Sequence, residues 1–409
     1  MSTTRIIADT LIPGRGDPVD GGTVVIEAGM IVYAGPTAEA PAGAEDEAVV
    51  EVPAVLPGMW DCHAHYVGIT TPNIEALALT NPVTAAARST ADLARVLDAG
   101  VTSVREVGGL GIHLARAVDE GVIQGPNIYA AGAILSTTGG HGDIHALPLD
   151  WIHQAGDRGL GILCDGVPEV LKAVRRNLRN NARVIKVCAS GGVMSEVDSP
   201  IHQQFSGEEL SAIVAEAARA DRIVAAHCHG KPGIMAALRA GVRTIEHGSF
   251  LDEEAAELMV EKGAILVPTR FVIDELLFQV DRLPRYAYEK GQAIADRHEM
   301  AMKVAVATGV RIAAGCDIFV SGEMHGENSR EIDNLINAGL SDLDAIETAT
   351  ATPPETLGSQ APHTGQLRTG FDADVVALDT NPLDDRTVWG DSARVTHVWK
   401  GGRLQKAPA

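Results

Sequence analysis

Between residue 55 and about residue 350, short apolar runs alternate with stretches whose apolar residues return every three or four positions. The first texture is that of buried strands, the second that of amphipathic helices. The runs fall at 54–62, 101–107, 127–132, 183–188, 222–228, 243–247, 264–269 and 311–316, which makes eight candidate strands. Helical patterns fill most of the gaps. One covers 208–217, and Ser206-Gly207-Glu208-Glu209 in front of it has the spacing of a capping box. Eight strand-then-helix units predict an α/β fold, a closed (β/α)8 TIM barrel with its chemistry at the C-terminal strand ends. A doubly wound open sheet is the alternative.

Both flanks have a different texture. Residues 4–56 read as short strands, such as Thr23-Val24-Val25-Ile26-Glu27, separated by Gly/Asp/Pro clusters. The last fifty residues return to that pattern with Asp374-Val375-Val376-Ala377-Leu378 and Val395-Thr396-His397-Val398-Trp399-Lys400. The two ends are therefore expected to share one small β-sandwich domain, 1–54 plus 358–409, with the barrel (55–357) inserted between them.

Composition narrows the setting. Hydrophobic residues make up 45% of the 409, enough for a large core. Lys and Arg number 33 against 54 Asp and Glu, a net charge of −21 that repels nucleic acid and anionic membranes. No apolar run has membrane-spanning length, and Met1–Thr10 lacks the layout of a secretory signal. The five cysteines form no CxxC pair, which suits a reducing compartment. The expectation is a cytoplasmic protein, assembled as a homo-oligomer, whose partner is a small-molecule substrate.

The candidate chemistry sits where the runs end. The first leads into Leu56-Pro57-Gly58-Met59-Trp60-Asp61-Cys62-His63-Ala64-His65. Side chains alternate along a strand, so His63 and His65 point the same way, a natural beginning for a metal site. The fourth run carries Lys186 among apolar residues, where an ammonium is costly unless it is paired or chemically altered. The fifth ends in Ala226-His227-Cys228-His229, the sixth in Glu246-His247-Gly248, and the eighth in Gly315-Cys316-Asp317. Each histidine alone reads as a structural polar residue; five strand ends in one barrel read as a metal site. Four histidines and an aspartate suit Zn²⁺ and, less well, Mn²⁺ or Fe²⁺. Burial favours the neutral amine of Lys186, which reacts with CO₂ to give a carbamate able to bridge two ions. Two adjacent divalent ions acidify a shared water to a pKa of ~7, and Asp317 is placed to take its proton and pass it to the leaving group.

These residues resemble the amidohydrolase superfamily. The matching pieces are Leu56-Pro57-Gly58-x-x-Asp61-x-His63-x-His65, Ile185-Lys186 before Ser190-Gly191-Gly192, Ala226-His227, Glu246-His247-Gly248 and Gly315-x-Asp317. Flanking matches are Gly100-Val101-Thr102-Ser103-Val104-Arg105 and Gly370-Phe371-Asp372-Ala373-Asp374-Val375-Val376. The resemblance implies a distorted barrel with two zinc ions. His63, His65 and Asp317 would hold one, His227 and His247 the other, with carboxylated Lys186 between them. Ser136-Thr137-Thr138-Gly139-Gly140-His141-Gly142-Asp143 and Lys186 are similar to the branch of zinc dipeptidases and carboxypeptidases, which includes prolidase-like Xaa-Pro dipeptidases and ochratoxin-hydrolysing amidases. Imidazolonepropionases and deaminases, which typically lack the bridging lysine, are more distant. His229 stands where relatives commonly have tyrosine, and Cys316 where threonine is usual.

Substrate contacts are expected from His141, His229, Arg270, Tyr66 and His325. By resemblance, His141 and His229 match groups that hold a substrate's C-terminal carboxylate. Arg270, just past the seventh run, is placed either to clamp a carboxylate or to pair with an acidic neighbour. Tyr66, directly after His65, would bond a tetrahedral intermediate or pack in its loop; His325 would line the pocket. The expected activity is release of a C-terminal amino acid from a dipeptide or an N-acyl amino acid. Hydrolysis of another amide, carbamate or lactam is the alternative, and a catalytically silent scaffold is the reading from a different class.

Overall fold

The computed structural model of the chain describes residues 3–45, 47–156, 161–278 and 282–408. Four strands come first: β1 (Thr4–Leu11), β2 (Val19–Glu27), β3 (Met30–Pro36) and β4 (Ala48–Pro57). Next come β5 (Met59–Ile69), α1 (Glu75–Leu79), α2 (Pro82–Asp98), β6 (Val101–Glu106), α3 (Gly111–Asp119), β7 (Asn127–Ala130) and β8 (Ile134–Ser136). They are followed by α4 (Leu149–Ala155), β9 (Gly161–Leu163), α5 (Val167–Arg179), β10 (Ile185–Cys188), α6 (Gly207–Ala218), β11 (Val224–Cys228), α7 (Lys231–Ala240), β12 (Thr244–His247) and α8 (Glu253–Lys262). The central part ends with β13 (Ile265–Val267), α9 (Arg270–Phe278), α10 (Arg285–Thr308), β14 (Arg311–Ile312), β15 (Ile318–Val320), α11 (Arg330–Asn337) and α12 (Asp342–Thr348). Last come β16 (Val375–Leu378), β17 (Val395–Lys400) and β18 (Arg403–Lys406).

The central strands form two parallel sheets, in the orders β14-β13-β12-β11-β10-β8-β9 and β15-β5-β6-β7. Backbone bonds run between the two sheets. Arg183 N donates to Ala130 O at 2.8 Å, and Cys62 N to Ala314 O at 2.9 Å. Helices cover the outside for the reason their sequences give. In α2, Leu93, Val96 and Leu97 are buried while the other face is polar. Its start is fixed by Asn81, whose side chain accepts from Val83 N at 2.9 Å, with Pro82 in the first turn. The capping box of α6 forms as expected, Ser206 and Glu209 satisfying each other's backbone.

The first predicted strand, 54–62, is divided. Pro57 ends β4, which belongs to the sheet of the chain ends, and Met59 begins β5, which carries the histidines. Gly58 makes the junction, because a Cβ there would collide with the side chain of Thr102. The eighth run is also shorter than expected. It pairs only at Arg311 and Ile312, and a separate strand, β15, then pairs with β5.

The two ends of the chain do share one sheet, in the order β18-β17-β16-β4-β1-β2-β3. The pairings run through a single seven-stranded sheet, with β16 antiparallel to β4. Its core contains Ile6, Val24, Ile31, Val55, Val375 and Trp399.

Candidate metal centre

Strand alternation puts His63, His65 and Val67 on the inner face of β5, while Ala64 and Tyr66 face out. Lys186 of β10, His227 of β11 and His247 of β12 lie on neighbouring strands, with Cys188 level with His227 and Cys228 with His247. Asp317 arrives from the turn before β15, where its N donates to His63 O at 2.7 Å. Together they line a cavity of about 90 Å3. The sequence-predicted ligands are thus brought to one place. His63 Nε2 is 3.3 Å from Lys186 Nζ and 3.6 Å from Asp317 Oδ1, and His65 Nε2 is 3.2 Å from the same oxygen. His63, His247 and Asp317 form one group with ligand atoms within 4.8 Å of each other, and His227, His229 and His247 form another.

The protein sets which ring nitrogen each histidine offers. His65 Nδ1 is 2.7 Å from Gly108 O, and a carbonyl only accepts, so Nδ1 holds the proton and Nε2 keeps its lone pair. His63 does the same against Glu246 Oε2 at 2.9 Å. His227 is reversed: its Nε2 donates to Gly191 O at 3.1 Å, which leaves Nδ1 free. His247 Nδ1 is held by Thr269 Oγ1 at 2.7 Å. Free lone pairs on oriented imidazoles are what a divalent ion needs.

Burial supplies the matching protonation states. It lowers the pKa of His227 and His247 well below the ordinary histidine value, with neighbouring histidines adding to the effect. His63 is lowered to about 4 by burial and by Lys186. Burial also lowers Lys186 from the usual lysine range, against the opposing pull of Glu246. Burial pushes Asp317 upward, but His63 and His65 outweigh it and hold the carboxyl below its usual value. Cys188, which lines the same cavity, has its thiol pushed up to about 12 by burial and so offers no thiolate.

The residues that hold this arrangement went unassigned in the sequence. Arg105 and Glu246 form a fully buried pair at 2.7 Å behind His63. Arg105 also donates to Cys62 O and to Thr244 Oγ1. The signal was an arginine and a glutamate inside apolar strands, each too costly to bury alone. Backbone conformation contributes too. His247, Thr269 and Asp317 all have left-handed φ, at 68°, 57° and 59°. Non-glycine residues seldom adopt it, and their clustering here points to a site that fixes them.

The expected substrate contacts divide into two sets. His141 and His229 line the cavity. His141 stacks on His227 with centroids 4.2 Å apart, and its Nδ1 is 2.9 Å from Ser195 Oγ. A Cβ on Gly192 would overlap the His141 ring, so glycine is required for that approach. His229 is held by Ser249 Oγ at 2.7 Å and stacks on His247. Arg270, Tyr66 and His325 are not among the described cavity-lining residues. Arg270 pairs with Asp274 at 2.7 Å and donates to Ala295 O. Tyr66 is buried on the outer face of β5, stacked on His325 at 5.5 Å. The turn of one residue along a strand, from His65 to Tyr66, is what moves it out of the site.

A second, apolar cavity of about 180 Å3 adjoins the first and shares His65, His141 and Asp317 with it. Val67, Ile74, Leu77, Ile144 and Ile152 line it.

The sequence and the fold agree with known proteins. Residues 54–404 match the pattern of the amidohydrolase family. The chain is 45% identical to an ochratoxinase of Aspergillus niger over 99% of this chain and 87% of that protein. The crystal structure of A. niger ochratoxinase superposes with a TM-score of 0.95 at 42% identity, covering 100% of this chain and 96% of that one. A prolidase complexed with N-methylphosphonate-L-proline superposes at 0.91, with 34% identity over 99% of this chain and 100% of the other. A Xaa-Pro dipeptidase with bound methionine in its active site gives 0.89, with 30% identity over 98% and 99%. A histidine-lined pocket at the strand ends, on a chain matched along nearly its whole length, leads to one conclusion: this protein belongs to the amidohydrolase family and is a hydrolase acting on amide bonds.

Proposed function

We propose that the protein is a binuclear zinc amidohydrolase that releases a C-terminal amino acid from dipeptides, Xaa-Pro among them, or from N-acyl amino acids. The observation that carries this reading is the convergence of His63, His65, Lys186, His227, His247 and Asp317 on one buried cavity, with three imidazole tautomers fixed by acceptors. The donor set fits two divalent ions: His63, His65 and Asp317 would hold one, His227 and His247 the other, and carboxylated Lys186 both. When bound, the ions supply electrophilic activation of the carbonyl and of water.

The remaining work belongs to the chain. Asp317 accepts a proton from the attacking water and delivers it to the leaving nitrogen as the C–N bond breaks and water's oxygen joins the acyl carbon. Arg105 and Glu246 keep His63 from turning. His141 and His229, which line the same cavity as His65, would receive the substrate's carboxylate. Around this centre, the parallel strands close into a barrel (55–357), and the end sheet makes a separate small domain (1–54 with 358–409).

A second reading has its own support. The 45% identity to an ochratoxinase favours an amide outside ordinary dipeptides, with ochratoxin one such compound. One experiment separates the two. Zinc-loaded protein is offered Xaa-Pro dipeptides, other dipeptides, N-acyl amino acids and amides without a carboxylate. Turnover confined to substrates with a free C-terminal carboxylate is expected; turnover only of uncharged or cyclic amides overturns the leading reading.

A further inference from the structure

We infer that Glu331 is a positioning residue for the metal centre: it caps helix α9 from the neighbouring helix α11 and so releases the hydroxyl of Thr269 to hold His247. The inference rests on the proposed role of His247 as a metal ligand. It extends that role to a residue that is not among the described lining of the cavity.

The starting observation is backbone strain. Thr269 is β-branched and has a φ of 57°, in the left-handed region that such residues avoid. It directly precedes Arg270, the first residue of α9, and so stands at the helix N-cap position. Threonine is common there, but it caps from an extended backbone and turns its hydroxyl onto N–H groups of the first turn. Thr269 does neither. Its backbone is left-handed, and its Oγ1 lies 2.7 Å from Nδ1 of His247, itself left-handed at 68°. The strained turn delivers a hydroxyl to the imidazole instead of to its own helix.

The start of α9 is served from elsewhere. Glu331 accepts from Arg270 N through Oε1 at 2.9 Å and from Phe271 N through Oε2 at 2.8 Å. These are the first two amides of the helix, which no intrahelical carbonyl reaches. Asn334, one turn along α11, donates to Oε2 at 3.1 Å and steadies the carboxylate. The other side of the turn is gripped from α10, where His298 Nε2 donates to Pro268 O at 2.7 Å. Glu331, His298 and Thr269 are all fully buried. A turn held on both sides keeps a conformation that its own residue disfavours. Without Glu331, the freed amides of α9 compete for the Thr269 hydroxyl, and the ordinary threonine cap becomes the relaxed state.

Competition of zinc-loaded full-length protein with a chelator tests the inference. Thr269→Val removes the hydroxyl and keeps the branched shape, and zinc affinity should fall roughly tenfold. Thr269→Ser, which keeps the hydroxyl, should hold zinc as the wild type does. Glu331→Gln turns an amide N–H towards a backbone N–H and should cost about as much as Thr269→Val. The double variant should bind no more weakly than either single one, because both lose the same contact with His247. Arg330→Met is the control. Arg330 also joins α11 to α9, over the Phe271 ring at 4.9 Å and to Glu275 at 2.9 Å, without touching the capped amides. That variant should lose stability and keep its zinc affinity. Losses that add in the double variant, or an Arg330→Met loss equal to that of Glu331→Gln, overturn the inference, since either gives Glu331 a general structural role. Unchanged affinity in Thr269→Val overturns it even if Glu331→Gln folds poorly. Wild-type protein that takes up no zinc overturns the metal-centre reading and this one with it.

Discussion

The two faces of β5 are made from consecutive residues and behave oppositely. On the inner face, His63 and His65 each have one nitrogen bonded to an acceptor and the other aimed at Asp317. On the outer face, Tyr66 stacks on His325, which lies 3.9 Å from Asp92 of α2. There several buried polar atoms have no hydrogen-bond partner among the described residues: Tyr66 Oη, Ser89 Oγ, Asp92 Oδ2 and Ser321 Oγ. Both faces contain histidine, carboxylate and hydroxyl. The difference lies in order. The inner groups are over-determined by second contacts, as ligand-binding groups must be, whereas the outer ones fill space against a helix. Composition alone does not mark a site; the partners behind each group do.

The sharpest way to break this comparison is at Lys186. Lys186→Ala should lose bound metal and at least ~10³-fold in turnover, with partial recovery on adding short-chain carboxylic acids, read by metal analysis beside activity. Asp317→Asn should keep part of its metal and lose about 10²–10⁴-fold; near-normal turnover would remove Asp317 as the proton carrier. Glu246→Gln comes next. It leaves His63 a weaker, uncharged acceptor and strips Arg105 of its countercharge, so metal affinity should fall about 10–100-fold in a chelator competition.

The outer face should answer in stability alone. Burial holds His325 below its ordinary pKa. The unfolded chain, titrating near 6.5, therefore binds a proton that the folded chain refuses. The resulting stability is present above about pH 6.5 and is lost as the pH falls through the folded pKa. In His325→Phe, which preserves the stack on Tyr66, the fall in unfolding free energy between pH 7 and pH 4 should shrink by about 1–3 kcal/mol, with kcat/KM at pH 7 unchanged. The smallest effect is expected from Tyr66→Phe, which deletes an unpaired hydroxyl. Stability should shift by no more than about 1 kcal/mol and turnover not at all. A drop in turnover comparable to that of Glu246→Gln would erase the distinction between the faces.

This division also explains what the sequence revealed. Histidine, lysine and aspartate are chemically unusual at the ends of apolar strands, so His63, His65, Lys186, His227, His247 and Asp317 were legible, and period-two alternation gave the direction of the histidines on β5. The same alternation, carried one residue further, excludes Tyr66. Arg270 and His325 were assigned by nearness to a strand end, and nearness does not encode which way a side chain turns. Arg105 and Glu246 were visible as charges in apolar strands, but their pairing joins β6 to β12, far apart in sequence and in different sheets. The change of sheet at Gly58 was hidden because the apolar run 54–62 is unbroken across it.

The end sheet has a temporal meaning as well as a spatial one. Pro57 pairs with Val375, and Leu56 with Val376. During synthesis β4 therefore has β1 beside it from the start but waits for more than 300 further residues before its second partner exists. The edge of β4 stays open while the strands bearing the histidines are already emerging. Because β5 starts two residues after β4 ends, the arrival of β16 fixes the root of the strand on which His63 and His65 stand. Pairings this distant in sequence form slowly, so maturation of the histidine-lined pocket would be timed by the arrival of β16.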